Sequence, residues 1–286
     1  MILCVVGPTG VGKTKLSIAL AKRYNAIVIN ADSMQIYKGL NIGTAKVTEE
    51  EKENIPHFLF DIRNPEEMYT VYDYQKDLRN ILNNNKDKNI IIVGGTGFYI
   101  KAGLYNYIFE EDLNSDNYDK YSNKELYDLA LEKDSDCNIH INNRKRLIRF
   151  LNKNETKMDK DKLLYNAIFI GLTTDRDNLY KRINERVDIM IQNGLLEEVK
   201  SLYDRNIRSK AIMTGIGYKE LYEYFDGKIS LEEAILLIKS RSRKYAKRQY
   251  TWFNNQMDIN WFDTNFNDFD ETIENVIKYI EDIMEK

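Results

Sequence analysis

The 286-residue chain holds only two cysteines, Cys4 and Cys137. Two thiols so far apart exclude a disulfide framework and a cysteine-rich zinc site, and they fit a reducing cytosol. Three prolines and no low-complexity stretch leave no place for a Pro-rich linker, and no internal repeat marks a solenoid. No apolar run reaches the roughly 18 residues that a membrane span needs. The first residues, Met1 to Val6, run straight into a glycine loop without the charged region, apolar region and cleavage site of a secretory signal. A cytoplasmic protein without membrane contact is expected. Net charge is −3 with a pI near 5.7, so no overall excess of positive charge advertises a nucleic-acid binder.

The distribution of charge says more than its total. Residues 109–136 are acidic (Glu110, Glu111, Asp112, Asp116 and Asp119 among them). Arg144, Lys145, Arg146 and Arg149 form a compact basic run, and Lys239, Arg241, Arg243, Lys244, Lys247 and Arg248 form a second. An acidic protein can therefore still present a basic face.

Short apolar runs without alternation lie at Ile2–Val6, Ala26–Asn30, Ile90–Val93 and Ile168–Leu172, with a weaker one at Ile259–Phe262. Strands apolar on both faces suit a parallel sheet covered by helices. Helical spacing of apolar residues marks 13–24, Asp177–Gln192, Leu195–Tyr203, Ser230–Tyr250 and 269–284. Ser230 with Glu233 opens the fourth of these as a capping box. The second half is mostly helical. The expected fold class is α/β, a P-loop core with a parallel sheet flanked by helices, plus a mostly helical portion. The core is expected to take residues 1–105 and about 144–286, with a short insert over about 106–143.

Gly7-Pro8-Thr9-Gly10-Val11-Gly12-Lys13-Thr14 fits G-x-x-x-x-G-K-[ST] between an expected strand and helix. The glycines let successive backbone N–H groups turn inward onto phosphate oxygens, and the helix N-terminus adds its dipole. Lys13 supplies a point charge and Thr14 a hydroxyl for Mg²⁺. The loop holds a diphosphate but does not say which group is transferred; alone, it suggests a nucleotide such as ATP. Asp32, just past the second strand, reads either as a metal contact or general base, or as a helix cap ahead of Gln35. Gly94-Gly95-Thr96-Gly97 closes the third strand, as a ligand-approaching loop or as a tight turn. None of the four stronger strand candidates ends in the apolar-apolar-Asp pattern of an NTP-hydrolysing motor, which favours a small kinase-like transferase. Arg182 and Arg186, and the basic residues of 239–248, read on periodicity alone as charged faces of amphipathic helices.

Taken together, these stretches resemble the tRNA dimethylallyltransferases, also called tRNA isopentenyltransferases, of bacterial type. The matching pieces run in order: Gly7–Thr14; Asn30 to Tyr37; Asn41 to Lys46; Gly94 to Tyr99; Arg144 to Arg149; Leu179 to Val187; Gly217 to Glu220; and Tyr245 to Phe253. They cover nearly the whole chain. The resemblance implies transfer of a dimethylallyl group from dimethylallyl diphosphate to N6 of the adenosine 3′-adjacent to the anticodon, in tRNAs reading codons that begin with U. The loop 7–14 then holds the diphosphate leaving group, aided by Arg182, Arg186 and Mg²⁺ on Thr14, and the missing hydrolytic carboxylate follows. The resemblance also implies Asp32 as general base, Thr96 beside the same adenine, and Lys13 and Arg186 as catalytic charges. It places tRNA contacts at Asp32, Ser33, Met34, Gln35, Lys145, Arg146, Arg149, Arg243, Lys247 and Arg248. A monomer is expected. One departure stands out: the family's His-Pro-Asn-Asp/Asn is here His140-Ile141-Asn142-Asn143. Rival readings are an adenylate isopentenyltransferase, a small-molecule kinase, and a non-catalytic P-loop RNA-binding switch.

Overall fold

The computed structural model describes residues 1–109, 118–152 and 162–285. Glu110, Glu111, Asp112 and Asp116 of the acidic stretch lie outside them. The chain falls into two compact units, Met1–Tyr105 with Leu163–Lys286, and Asn106–Lys162.

In the larger unit, β1 (Ile2–Val6), α1 (Lys13–Tyr24) and β2 (Ala26–Asn30) come first, followed by α2 (Glu49–Lys52), β3 (His57–Phe58) and α3 (Val71–Asn84). Then come β4 (Asn89–Val93) and α4 (Gly97–Leu104). The smaller unit contributes α5 (Asn123–Lys133) and α6 (Arg144–Leu151). The chain returns through β5 (Ala167–Thr173), α7 (Arg176–Gln192), α8 (Leu195–Asp204), α9 (Lys210–Thr214) and α10 (Tyr218–Phe225). It closes with α11 (Leu231–Gln256), β6 (Asn260–Asp263) and α12 (Phe269–Met284).

The strands make one parallel sheet in the order β3-β2-β4-β1-β5-β6. Successive residues of β1 enter opposite cores: Cys4 and Val6 join one apolar cluster, Leu3 and Val5 the other. Ile27 and Ile29 divide from Val28 in the same way, as do Ile90 and Ile92 from Ile91. Side chains alternate across a strand, so a sheet covered on both faces needs apolar residues at every position. That is why these strands show no alternation in sequence. β1, in the interior of the sheet, delivers the glycine loop from its C-terminal end, where parallel α/β sheets place ligands.

The expected elements are all present; β1, α1, β2 and α12 have the expected bounds and the others are shifted at one or both ends. α11 runs six residues past its expected end at Tyr250, because Phe253 on the added turns is fully buried. Two-residue β3 leaves no periodicity to read, and α2, α3, α4, α6, α9 and α10 fall outside the expected set.

The basic run 144–149, assigned by sequence to the core, belongs to the smaller unit. Leu147 of α6 packs with Leu126 and Ala130 of α5, Cys137 and Ile139. The Arg144 guanidinium donates to the carbonyls of Tyr118 (2.7 Å) and Tyr121 (2.5 Å). The apolar stripe holds α6 to α5 and the arginine fork holds it to the segment just before α5, so the expected boundary at 143 moves to 162. No helix among the described residues is long and apolar enough to cross a membrane.

Candidate active site

Gly7, Gly10 and Gly12 take φ of +132°, +91° and +94°. These values turn the chain back on itself between β1 and α1, a path closed to residues with a Cβ. Lys13 reaches back over the loop and donates from Nζ to the Pro8 carbonyl at 2.7 Å. Thr14, in the first turn of α1, is exposed.

Three charges converge on this loop. Burial brings the Lys13 ammonium down to about 7, a shift reinforced by Arg186 and opposed by the Asp32 carboxylate. Burial also lowers the Arg186 guanidinium, and Asp32 again opposes it. Each group therefore lies within the others' electrostatic field, although they come from α1, α7 and the loop after β2. Two cations crowded together and half desolvated, against one carboxylate, leave the site a net positive charge, the environment a diphosphate would complete. Arg182, one turn before Arg186, is exposed but held: its Nε donates to the Gly10 carbonyl (3.2 Å), and its guanidinium stacks 3.7 Å from the centre of the Phe266 ring. Periodicity read both arginines as surface charges. The fold turns them onto the loop.

Asp32 does not cap a helix. The Asn30 side chain, buried at the end of β2, fixes its backbone: Oδ1 accepts from the Asp32 N–H (2.8 Å) and Nδ2 donates to the Asp32 carbonyl (2.9 Å). The Asp32 carboxylate accepts from the Met34 N–H (2.9 Å), an Asx turn that aims the chain at the next strand end. There the Thr96 hydroxyl accepts from the Ser33 N–H at 3.0 Å across 63 positions of sequence. Gly94 makes this meeting possible, since its backbone packs directly on Ala31. The Asp32 and Thr96 loops thus form one wall facing the Lys13 loop.

The remaining predicted contacts divide. Gln35 is occupied by its fold, donating to the carbonyls of Thr44 (3.0 Å) and Ala45 (3.4 Å). The Met34 side chain packs against the larger core beside Gly215. Lys247 and Arg248 are exposed on α11, while Arg243 donates to Asn184 Oδ1 at 2.6 Å. Two members of the same basic run are structural. Lys239 pairs with Asp188 at 2.6 Å, and Arg241 pairs with Glu220, whose side chain is 1% exposed. Removing the arginine strands a buried carboxylate. Arg241→Ala is therefore expected to cost about 2 kcal/mol of stability, less than the roughly 3–5 kcal/mol of a fully buried pair, because Arg241 keeps some solvent and Glu220 keeps the Gly217 N–H. Chemical denaturation checks this, and an unchanged midpoint contradicts it. In the smaller unit, Lys145, Arg146 and Arg149 line a cleft of about 580 Å³ with Asp134, Asp136, Tyr107 and Phe150.

Sequence reasoning missed several residues of this architecture. Glu198 gathers the N–H groups of Asn41, Ile42 and Gly43 (2.9, 2.7 and 3.1 Å) and the Tyr218 hydroxyl (2.7 Å). Gln249 of α11 hydrogen-bonds into the site, and Tyr245, one turn before it, lies beside Thr96. Their partners are remote in sequence, and no local signal marks them.

No group of three or more carboxylate, histidine or cysteine side chains that could cage a metal exists among the described residues. One hydroxyl and one carboxylate beside a loop of the phosphate-binding pattern instead fit an ion that a phosphorylated substrate would largely carry, as Mg²⁺ commonly is.

Known proteins resemble the chain over its full extent. The profile of a family described as IPP transferase matches residues 35–256. A protein of Bacillus subtilis named tRNA dimethylallyltransferase is 48% identical over 283 residues, covering 92% of this chain and 90% of that protein. Its namesake from Anoxybacillus flavithermus is 47% identical over 298 residues, covering 98% and 96%. The crystal structure of a full-length tRNA isopentenylpyrophosphate transferase from Bacillus halodurans superposes with a TM-score of 0.78 at 40% identity, covering 99% of this chain and 96% of that one. A eukaryotic dimethylallyltransferase acting on tRNA superposes with a TM-score of 0.77 at 29% identity, covering 92% and 73%.

Proposed function

This chain belongs to the IPP transferase family, and from that premise we propose that it transfers a dimethylallyl group from dimethylallyl diphosphate to tRNA. The acceptor in this proposal is N6 of the adenosine 3′-adjacent to the anticodon. The observation that carries the reading is the convergence of Lys13, Arg186 and Asp32 on one loop. Two cations suit a diphosphate that departs, and a carboxylate on the opposite wall suits a proton acceptor.

An allylic C–O bond ionises readily once the charge developing on its leaving group is neutralised. The loop N–H groups, Lys13 and Arg186 hold that charge, and Arg182 reinforces the loop through Gly10. Bound beside Thr14, Mg²⁺ would neutralise further charge on the diphosphate. The exocyclic amine of adenine is a weak base, so its proton leaves as the C–N bond forms, and Asp32 receives it. Thr96 stands beside Asp32 through Ser33 and borders the acceptor. An adenine stacked inside an anticodon loop is out of reach, so the base must leave its stack to enter.

Lys247 and Arg248 on α11, and Lys145, Arg146 and Arg149 on α6, supply phosphate contacts in this reading. Lys247→Ala with Arg248→Ala is expected to weaken tRNA binding and to lower the slope of log affinity against log salt by about two. Titration at several salt concentrations checks this, and an unchanged slope returns these residues to an ordinary solvated face. The protein is read as acting as a monomer, in the cytoplasm where tRNA is found.

One assay tests the whole reading: labelled dimethylallyl diphosphate offered with unmodified tRNA, with AMP, or with neither. Label is expected on tRNA. Label on AMP alone assigns a free-nucleotide acceptor, and turnover of ATP on a small molecule assigns a kinase.

A further inference from the structure

α11 touches the site at a point that neither the loop motif nor the charge map explains. Ala246, Gln249 and Phe253 recur at helical spacing and are buried. A glutamine in that stripe must satisfy its amide inside the protein. Gln249 does so by bridging: Oε1 accepts from the Thr9 N–H at 3.0 Å, and Nε2 donates to the Gly95 carbonyl at 3.0 Å. Thr9 belongs to the phosphate loop and Gly95 to the loop before Thr96. One turn earlier, Tyr245 lies beside both Thr96 and Gln249. Thr96 in turn accepts from Ser33, next to Asp32. Gly95 is glycine because a Cβ there would fall on the Gln249 amide nitrogen.

We propose that Gln249 is a positioning residue that keeps the wall binding the leaving diphosphate in register with the wall binding the acceptor base. The proposal rests on the transfer chemistry proposed above. That chemistry breaks the bond between the allylic carbon and the diphosphate oxygen and forms a bond from that carbon to the adenine nitrogen. The two events use different walls, so their spacing decides which nucleophile captures the carbon. With the walls out of register the diphosphate is still gripped and still leaves, but water takes the amine's place. The water oxygen then bonds to the allylic carbon, its proton passes to solvent, and the products are dimethylallyl alcohol and diphosphate.

The measured quantity is the ratio of dimethylallyl alcohol to prenylated tRNA formed from labelled donor, together with donor affinity. Gln249→Glu keeps the size of the side chain and its acceptor for Thr9, but sets a carboxylate oxygen against the Gly95 carbonyl. Gly95→Ala reaches the same state by pushing the amide aside. Both are expected to raise the ratio by about tenfold or more, because misplacement near one ångström costs about a hundredfold in an oriented reaction. Donor affinity is expected to change far less than transfer. Should Gln249→Glu fail to fold, Gly95→Ala carries the same test by itself, since it leaves the glutamine in place and displaces only its amide. A purely structural role lowers both products together and leaves their ratio alone; that result, beside a wild type that transfers normally, overturns the positioning role. A wild type that transfers nothing to tRNA overturns the functional reading and this proposal with it.

Discussion

Asp32→Asn lowers prenyl transfer to tRNA by about a hundredfold or more, the loss expected when a general base is removed. The substitution is chosen for its shape. Asparagine keeps the oxygen that accepts from the Met34 N–H, so the Asx turn and its approach to Thr96 survive. The backbone of residue 32 remains fixed by Asn30, which does not depend on the carboxylate. What is lost is the ability to take a proton as the C–N bond forms. tRNA binding should stay within about threefold, since no step of binding needs that proton acceptor. Single-turnover rates and tRNA affinity measured on the same preparation check this. Turnover within a few-fold of wild type removes Asp32 from its role.

The second large effect belongs to Lys13. Lys13→Met deletes the charge closest to the loop but keeps an unbranched chain for the half-buried channel. Transfer is expected to fall by about a thousandfold, comparable to losing a principal donor to a developing anion. The substitution also has a signature in pH. Burial and Arg186 hold the free ammonium near 7. A bound diphosphate, being negative, favours the charged form and raises that value. The protein therefore binds donor best with Lys13 protonated: affinity is insensitive to this group below about pH 7, and above it falls by up to about tenfold per pH unit. Proton uptake on binding should be visible by calorimetry in buffers of different ionisation enthalpy. Lys13→Met should abolish both the slope and the uptake. A wild type without either would place the ammonium in a more solvated setting than its burial implies.

How much of this was legible in the chain follows from the range of the forces involved. The phosphate loop is written within eight consecutive residues, because backbone curl, helix start and lysine are all local. The strands are equally plain, since a sheet covered on both faces demands continuous apolar runs. Asp32 could be picked out by its place after a strand, but its alternative as a helix cap could not be dismissed until Asn30 and Thr96 were seen to fix it. Arg186 and Arg241 illustrate the limit more sharply. Both lie on amphipathic helices in runs of charge, and by periodicity alone they are equivalent. One is turned toward Lys13 and Asp32, while the other is spent on the buried Glu220. Gln249 meets Thr9 across 240 positions and Gly95 across 154, distances at which composition carries no trace. The division of the basic residues was misread for a related reason. Arg144 to Arg149 look like part of the core helices until Leu147 and Arg144 are seen to bind the smaller unit together.

The central claim is that a diphosphate leaves from the 7–14 loop as the adenine amine beside Asp32 and Thr96 takes its allyl group. The most direct measurement is to incubate the protein with dimethylallyl diphosphate and an unmodified tRNA that reads U-initial codons, digest the product, and locate the added group by mass spectrometry. The account predicts one added dimethylallyl group, on N6 of the adenosine 3′-adjacent to the anticodon. A group at any other nucleotide, or an unmodified tRNA beside consumed donor, contradicts it.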